Sequence, residues 1–85
     1  MEKRLGVVAI SVTSKESIQS LNHILSEFSD IILGRMGLPL RDKSIYIISL
    51  IIEGTTDQIG ALTGKIGRLS GIQVKSMLTK QKEEA

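Results

Sequence analysis

Gly60, Gly64 and Gly67 stand four and three residues apart in a stretch that otherwise reads as helix, so they share one helix face. Each costs roughly 1 kcal/mol against Ala in a helix interior. A smooth face of this kind lets another backbone or a ligand approach closely. The plainer reading is a weak helix tolerated in a small protein. Gly64-Lys65 does not make a phosphate-binding loop, because the glycines ahead of it fall inside the helix and not at a strand-to-helix turn. A second candidate is Gly34-Arg35-Met36-Gly37, with Arg41 following. Flexible backbone beside guanidinium groups suits a carboxylate or phosphate. The alternative is a bulged edge strand whose charge discourages sheet-to-sheet aggregation. The turn at Thr13 and Ser14 is the third place where a ligand or partner is expected.

Other reactive types give less. His23, the single histidine, lies nearly opposite the apolar stripe of its helix at about 100° per residue and reads as a solvated side chain. Glu16 and Asp57 occupy helix first turns, where the backbone dipole favours negative charge. Glu53, Asp30 and Asp42 lie at element ends, and no spacing forces two carboxylates together for acid–base work. No serine sits in a nucleophile elbow with a histidine to activate it. Cysteine is absent, which removes disulfides, thiolate metal sites, iron–sulfur ligation and thiol catalysis. The reading expects no catalytic residue, no metal site and no cofactor.

These residues must be positioned by one small domain of 85 residues. With 41% hydrophobic residues and one proline, the chain has enough apolar surface to fold. Phe28 and Tyr46 are the only aromatics, which disfavours base stacking or an aromatic cage. Eleven Lys and Arg against nine Asp and Glu leave a net charge of +2, so a polyanion partner is not indicated. Residues 1–4 are charged, but the apolar run behind them is too short for a secretory signal. The longest apolar stretch, residues 45–52, is too short to span a bilayer. A cytoplasmic protein without membrane contact is expected. Abundant Ile and Lys without Cys fit a hot habitat.

Alternating apolar residues predict a first strand over 4–12, with both faces largely apolar. Thr13 and Glu16 have capping-box spacing at the head of a helix over 14–28, with Ile18, Leu21, Ile24, Leu25 and Phe28 as its stripe. A second strand is expected over 31–36, then an irregular stretch over 37–43 where Gly37 and Pro39 end regular structure. The β-branched run over 44–53 should be a central strand. A second capping box, Thr55 with Gln58, opens a helix whose stripe is Ile59, Leu62, Ile66 and Leu69, with Gly71 as its stop. A last strand over 72–78 and a frayed tail over 79–85 complete the chain.

The order β-α-β-β-α-β is the ferredoxin-like pattern: an α+β open-faced sandwich, with a four-stranded antiparallel sheet and two helices on one face. The other face would stay open, yet the first and third strands offer it apolar residues. A homo-oligomer, dimer or tetramer, follows from that exposed patch.

Two blocks carry a family resemblance. One runs from Asp30 through Gly34-Arg35-Met36-Gly37 to Pro39. The other runs from Gly54 through Leu62-Thr63-Gly64-Lys65-Ile66-Gly67-Arg68-Leu69 and Gly71 to Val74-Lys75-Ser76. They are similar to the iron-only hydrogenase system regulator family, and the likeness covers nearly the whole chain. The resemblance implies an ACT-like domain related to the C-terminal domain of nickel-responsive repressors. It also implies a non-enzymatic regulatory role linked to [FeFe] hydrogenase expression or maturation, with a small effector at a subunit boundary or a protein partner.

The sequence departs from the amino-acid-binding ACT pattern at Thr13-Ser14-Lys15-Glu16, where an Asp and a Gly are usual. It also lacks the several His and the Cys of nickel repressors, so that metal site is not carried over. With about three residues before the first strand, no DNA reader of the repressor type is expected, and regulation would run through a partner. Two rival readings share the topology. An RNA-recognition module would stack bases on sheet aromatics, and only Tyr46 is available on a strand. An acylphosphatase-like enzyme would need an anion-binding loop with an arginine after the first strand.

Overall fold

The computed structural model describes residues 2–80. Its elements are β1 (Arg4–Val12), α1 (Ile18–Glu27), β2 (Ile32–Leu40), β3 (Ile45–Gly54), α2 (Thr56–Gly67) and β4 (Ile72–Leu78). The four strands form one antiparallel sheet in the order β2-β3-β1-β4. This is the expected α+β, ferredoxin-like arrangement, and β3 is central as its composition demanded.

Strict alternation produces the core. Val8, Ile10 and Val12 from β1 and Ile48, Leu50 and Ile52 from β3 point to one side and are buried. Leu21, Ile24 and Leu25 of α1 and Ile59, Leu62 and Ile66 of α2 close over them. Register explains the match: Val8 stands opposite Leu50 and Ile10 opposite Ile48, so each cross-strand pair presents two apolar side chains to the helices.

The two helix starts differ. At α2 the expected capping box is formed: Gln58 N–H donates to Thr55 Oγ1 at 3.1 Å, and Thr55 N–H donates to Gln58 Oε1 at 2.9 Å. At the first helix the expected Thr13–Glu16 box does not form. Thr13 is drawn instead toward the far turn, where its N–H and its hydroxyl both donate to Gly71 O, at 2.8 and 3.0 Å. The chain then enters through a 3-10 turn, Lys15–Ser17, before α1 begins at Ile18. Buried Ser17 adds a 2.6 Å bond from its hydroxyl to Ser70 O.

Other boundaries shift for local reasons. The stretch 37–43, expected to be irregular, continues as strand to Leu40 and then makes a 3-10 turn, Arg41–Lys43. Pro39 is tolerated because β2 is an edge strand, where a missing N–H costs no ladder bond. The register slips between Ile32 and Gly34, the bulge that the edge reading anticipated. α2 ends at Gly67, and Leu69 packs on the core from beyond the helix. Gly71 lies in the turn to β4 and does not cap the helix; its φ of 71° is left-handed. Thr79, expected to be frayed, is anchored by two bonds to Leu5 O, from its N–H at 2.9 Å and its hydroxyl at 3.1 Å. The rest of the expected tail, 81–85, lies outside the described residues.

The second sheet face carries no helix. Exposed on it are Leu5 of β1, Met36 and Leu38 of β2, Ile47 and Ile51 of β3 and Met77 of β4. Met36 is 70% exposed, Met77 57% and Leu38 55%.

Candidate functional site

Three stretches far apart in sequence converge at one end of the sheet. β1 ends at Val12 and turns through Thr13, Ser14 and Lys15. β2 ends at Pro39 and Leu40 and runs into Arg41. β3 begins at Ile45 and Tyr46. Together with Ile18 and Ser44 they line a cleft of about 610 Å³. That size lies in the usual range for small-molecule sites, roughly 300–1,000 Å³.

The wall from β1 is held firmly by the Thr13–Gly71 and Ser17–Ser70 bonds. The opposite wall is the β2–β3 connection, where Ser44 takes a left-handed φ of 54° to bring the chain back into β3. Tyr46 packs against the core from the cleft side. Its hydroxyl lies over Gly37, where a Cβ would collide with it, so this glycine makes room for the ring.

The chemistry of the lining is simple. Val12, Ile18, Pro39 and Ile45 supply apolar surface; Ser14, Ser44 and Tyr46 supply hydroxyls; Lys15 and Arg41 supply positive charge. No carboxylate and no histidine among the described residues lines it. Among the described residues, no group of three or more His, Cys, Asp or Glu is placed to hold a metal ion.

The candidate residues named from sequence separate into three places. Thr13 and Ser14 line the cleft. Gly34, Arg35 and Gly37 lie on the edge strand β2, where Arg35 Nη2 donates to Asn22 Oδ1 at 3.4 Å beside a smaller hollow of about 290 Å³. Of these three, Gly37 touches the cleft indirectly, through Tyr46. Gly60, Gly64 and Gly67 sit exposed on α2. A Cβ at Gly60 or Gly64 would meet nothing within 4 Å, and one at Gly67 only Val74 Cγ1 at 3.6 Å. They do not join the other candidates.

Sequence reasoning did not single out Lys15, Ser44 or Tyr46 as site residues and mentioned Arg41 only as a trailing charge. The signal available was the Gly37-to-Arg41 run beside a turn rich in hydroxyls. Nothing in spacing, however, reveals that residues 13–15 and 41–46 face each other.

The chain matches over residues 4–76 the family described as "TM1266-like: Iron-only hydrogenase system regulator, putative". It belongs to this family. The matched span contains the whole cleft and every candidate residue named above. Among solved structures, this family member is similar to protein TM1266 from Thermotoga maritima, with 39% identity over 93% of this chain and 100% of that one and a TM-score of 0.89. Two distant structures share the fold alone. A Galdieria sulphuraria protein is 14% identical, with a TM-score of 0.64 over 96% of this chain and 48% of that one. A formyltetrahydrofolate deformylase from Pseudomonas putida is 10% identical, with a TM-score of 0.62 over 86% of this chain and 28% of its own. No curated protein matches the chain.

For this regulator-family chain, the geometry bears on the RNA rival. Tyr46 faces the helix side with Ile48 and Leu50, so it is not on the open face where an RNA-recognition module stacks bases. No helix among the described residues is long and apolar enough to cross a membrane.

Proposed function

We propose that the chain is a non-enzymatic regulatory module of the iron-only hydrogenase system, which assembles with copies of itself and senses a small effector. The observation that carries this reading is the uncovered apolar sheet face. Leu5, Met36, Leu38, Ile47, Ile51 and Met77 form a patch spread across all four strands. At a strand spacing of about 4.8 Å and a rise of about 3.3 Å per residue, the face has a footprint on the order of 500 Å². Two such faces together reach about 1,000 Å², where specific interfaces begin. Burying them against each other would remove the apolar surface that a domain this small otherwise leaves in water. The family description supplies the regulatory context.

Light scattering coupled to size exclusion tests the assembly. Wild-type protein should elute as a dimer or tetramer. Ile51→Lys, on the open side of a central strand, should yield a folded species of lower mass. A wild-type monomer at high concentration overturns the reading. So does an Ile51→Lys protein of unchanged mass.

A further inference from the structure

We propose that the cleft between the β1–α1 turn and the β2–β3 connection binds a small amphiphilic oxyanion: a carboxylate or phosphate carried on a short apolar body. The inference rests on the sensing role proposed above and assigns it a site and a ligand class. Lys15 and Arg41 approach from opposite walls, and neither side chain has an ion-pair or hydrogen-bond partner among the described residues. The acidic residues nearest in sequence, Glu16 and Asp42, do not line the cleft, so the charge that the described residues offer to a ligand is of one sign. An arginine can meet a carboxylate or phosphate with two parallel N–H donors, and a lysine adds a point charge.

The hydroxyls of Ser14 and Tyr46 are likewise without partners among the described residues and can bond the remaining oxygens. Val12, Ile18 and Pro39 give the apolar body its surface. A bare inorganic ion would leave that surface wet, and a neutral apolar molecule would leave the two cations unmatched. Only a ligand with both parts uses the whole lining.

The test is a titration followed by amide proton–nitrogen correlation spectra, with hexanoate, benzoate, phenyl phosphate, inorganic phosphate and hexanamide as probes. It uses the wild type and the K15Q/R41Q double variant, with each single variant as a check on folding. Hexanoate or phenyl phosphate should move the amides of residues 13–15 and 41–46. Affinity should fall about tenfold in the double variant and weaken with added salt. Comparing benzoate with phenyl phosphate, which share the ring, decides between carboxylate and phosphate.

Equal binding of hexanamide, or undiminished binding by the double variant, overturns the oxyanion assignment. Binding of inorganic phosphate as tight as that of phenyl phosphate overturns the apolar part. Shifts confined to other residues, or no response to any of the organic anions, overturn the site. Translational diffusion on the same samples keeps the two proposals apart. A monomer whose cleft binds refutes the assembly and leaves the ligand class standing; an oligomer with a silent cleft does the reverse.

Discussion

Replacing Gly71 with Ala adds one methyl group at the turn where the two halves of the fold are tied together. The backbone there has φ +71°, a conformation that costs an L-residue roughly 1–2 kcal/mol. The new Cβ would lie 2.6 Å from Ser14 Cβ and 3.2 Å from Thr13 Oγ1. Relief requires the Thr13–Ser14 turn to move, which disturbs two hydrogen bonds to Gly71 O, each worth about 0.5–1.5 kcal/mol. Reduced freedom of the unfolded chain returns about 0.4–1 kcal/mol. The net loss is about 2 kcal/mol, or roughly 8–16 °C in Tm for a domain of this size. Gly60→Ala is the matched control. It meets open space and sits inside α2, so it should stabilise by about 0.5–1 kcal/mol. Circular dichroism melts at equal protein concentration read both. A tolerated Gly71→Ala would refute the tie between the turns. A destabilising Gly60→Ala would refute the open space found beside Gly60.

Leu62→Ala, at a site with no exposure, should cost about 2–5 kcal/mol in urea unfolding at unchanged m-value. Thr55→Ala should cost about 1 kcal/mol, and adding Gln58→Ala should cost less than the sum, because the two side chains cap one another. Lys65→Ala removes the 3.5 Å pair with Glu27 and the contact over the Phe28 ring. The ion pair is solvent-exposed and the ring contact is long, 5.6 Å to the centroid, so the melt should show a loss below about 1 kcal/mol.

Much of the fold is written in periodicity. The alternation of β1 and β3 and the stripes of both helices named the buried residues, because burial on one side of a sheet enforces a strict two-residue pattern. The Thr55 capping box was legible because its partners are three residues apart. The Thr13 box misled because a partner 58 positions away, Gly71, competes for the same hydroxyl. Pro39 misled because its cost depends on whether its strand is an edge, which is a property of the sheet. The cleft was half legible: Thr13 and Ser14 stood out as a turn, but Lys15, Arg41 and Tyr46 become neighbours only after the hairpin folds back. The α2 glycines drew attention by type; a Cβ at Gly60 or Gly64 would meet open space, and one at Gly67 would meet Val74 Cγ1 at 3.6 Å.

The edge strand β2 serves two surfaces at once. Met36 and Leu38 belong to the open sheet face, while the next residues, Pro39 and Leu40, form one wall of the cleft. The facing wall is pinned across the molecule by Thr13 and Ser17. A strand cannot slide at one end and keep its register at the other without bending at its bulge, between Ile32 and Gly34. On the two proposals above, an occupant of the cleft and a partner copy on the open face would both rest on β2, and any effect of one on the other would pass through this strand. If a ligand tightens the assembly by some factor, assembly must tighten the ligand by that same factor. An edge of sheet would then work as a lever between concentration of effector and number of subunits.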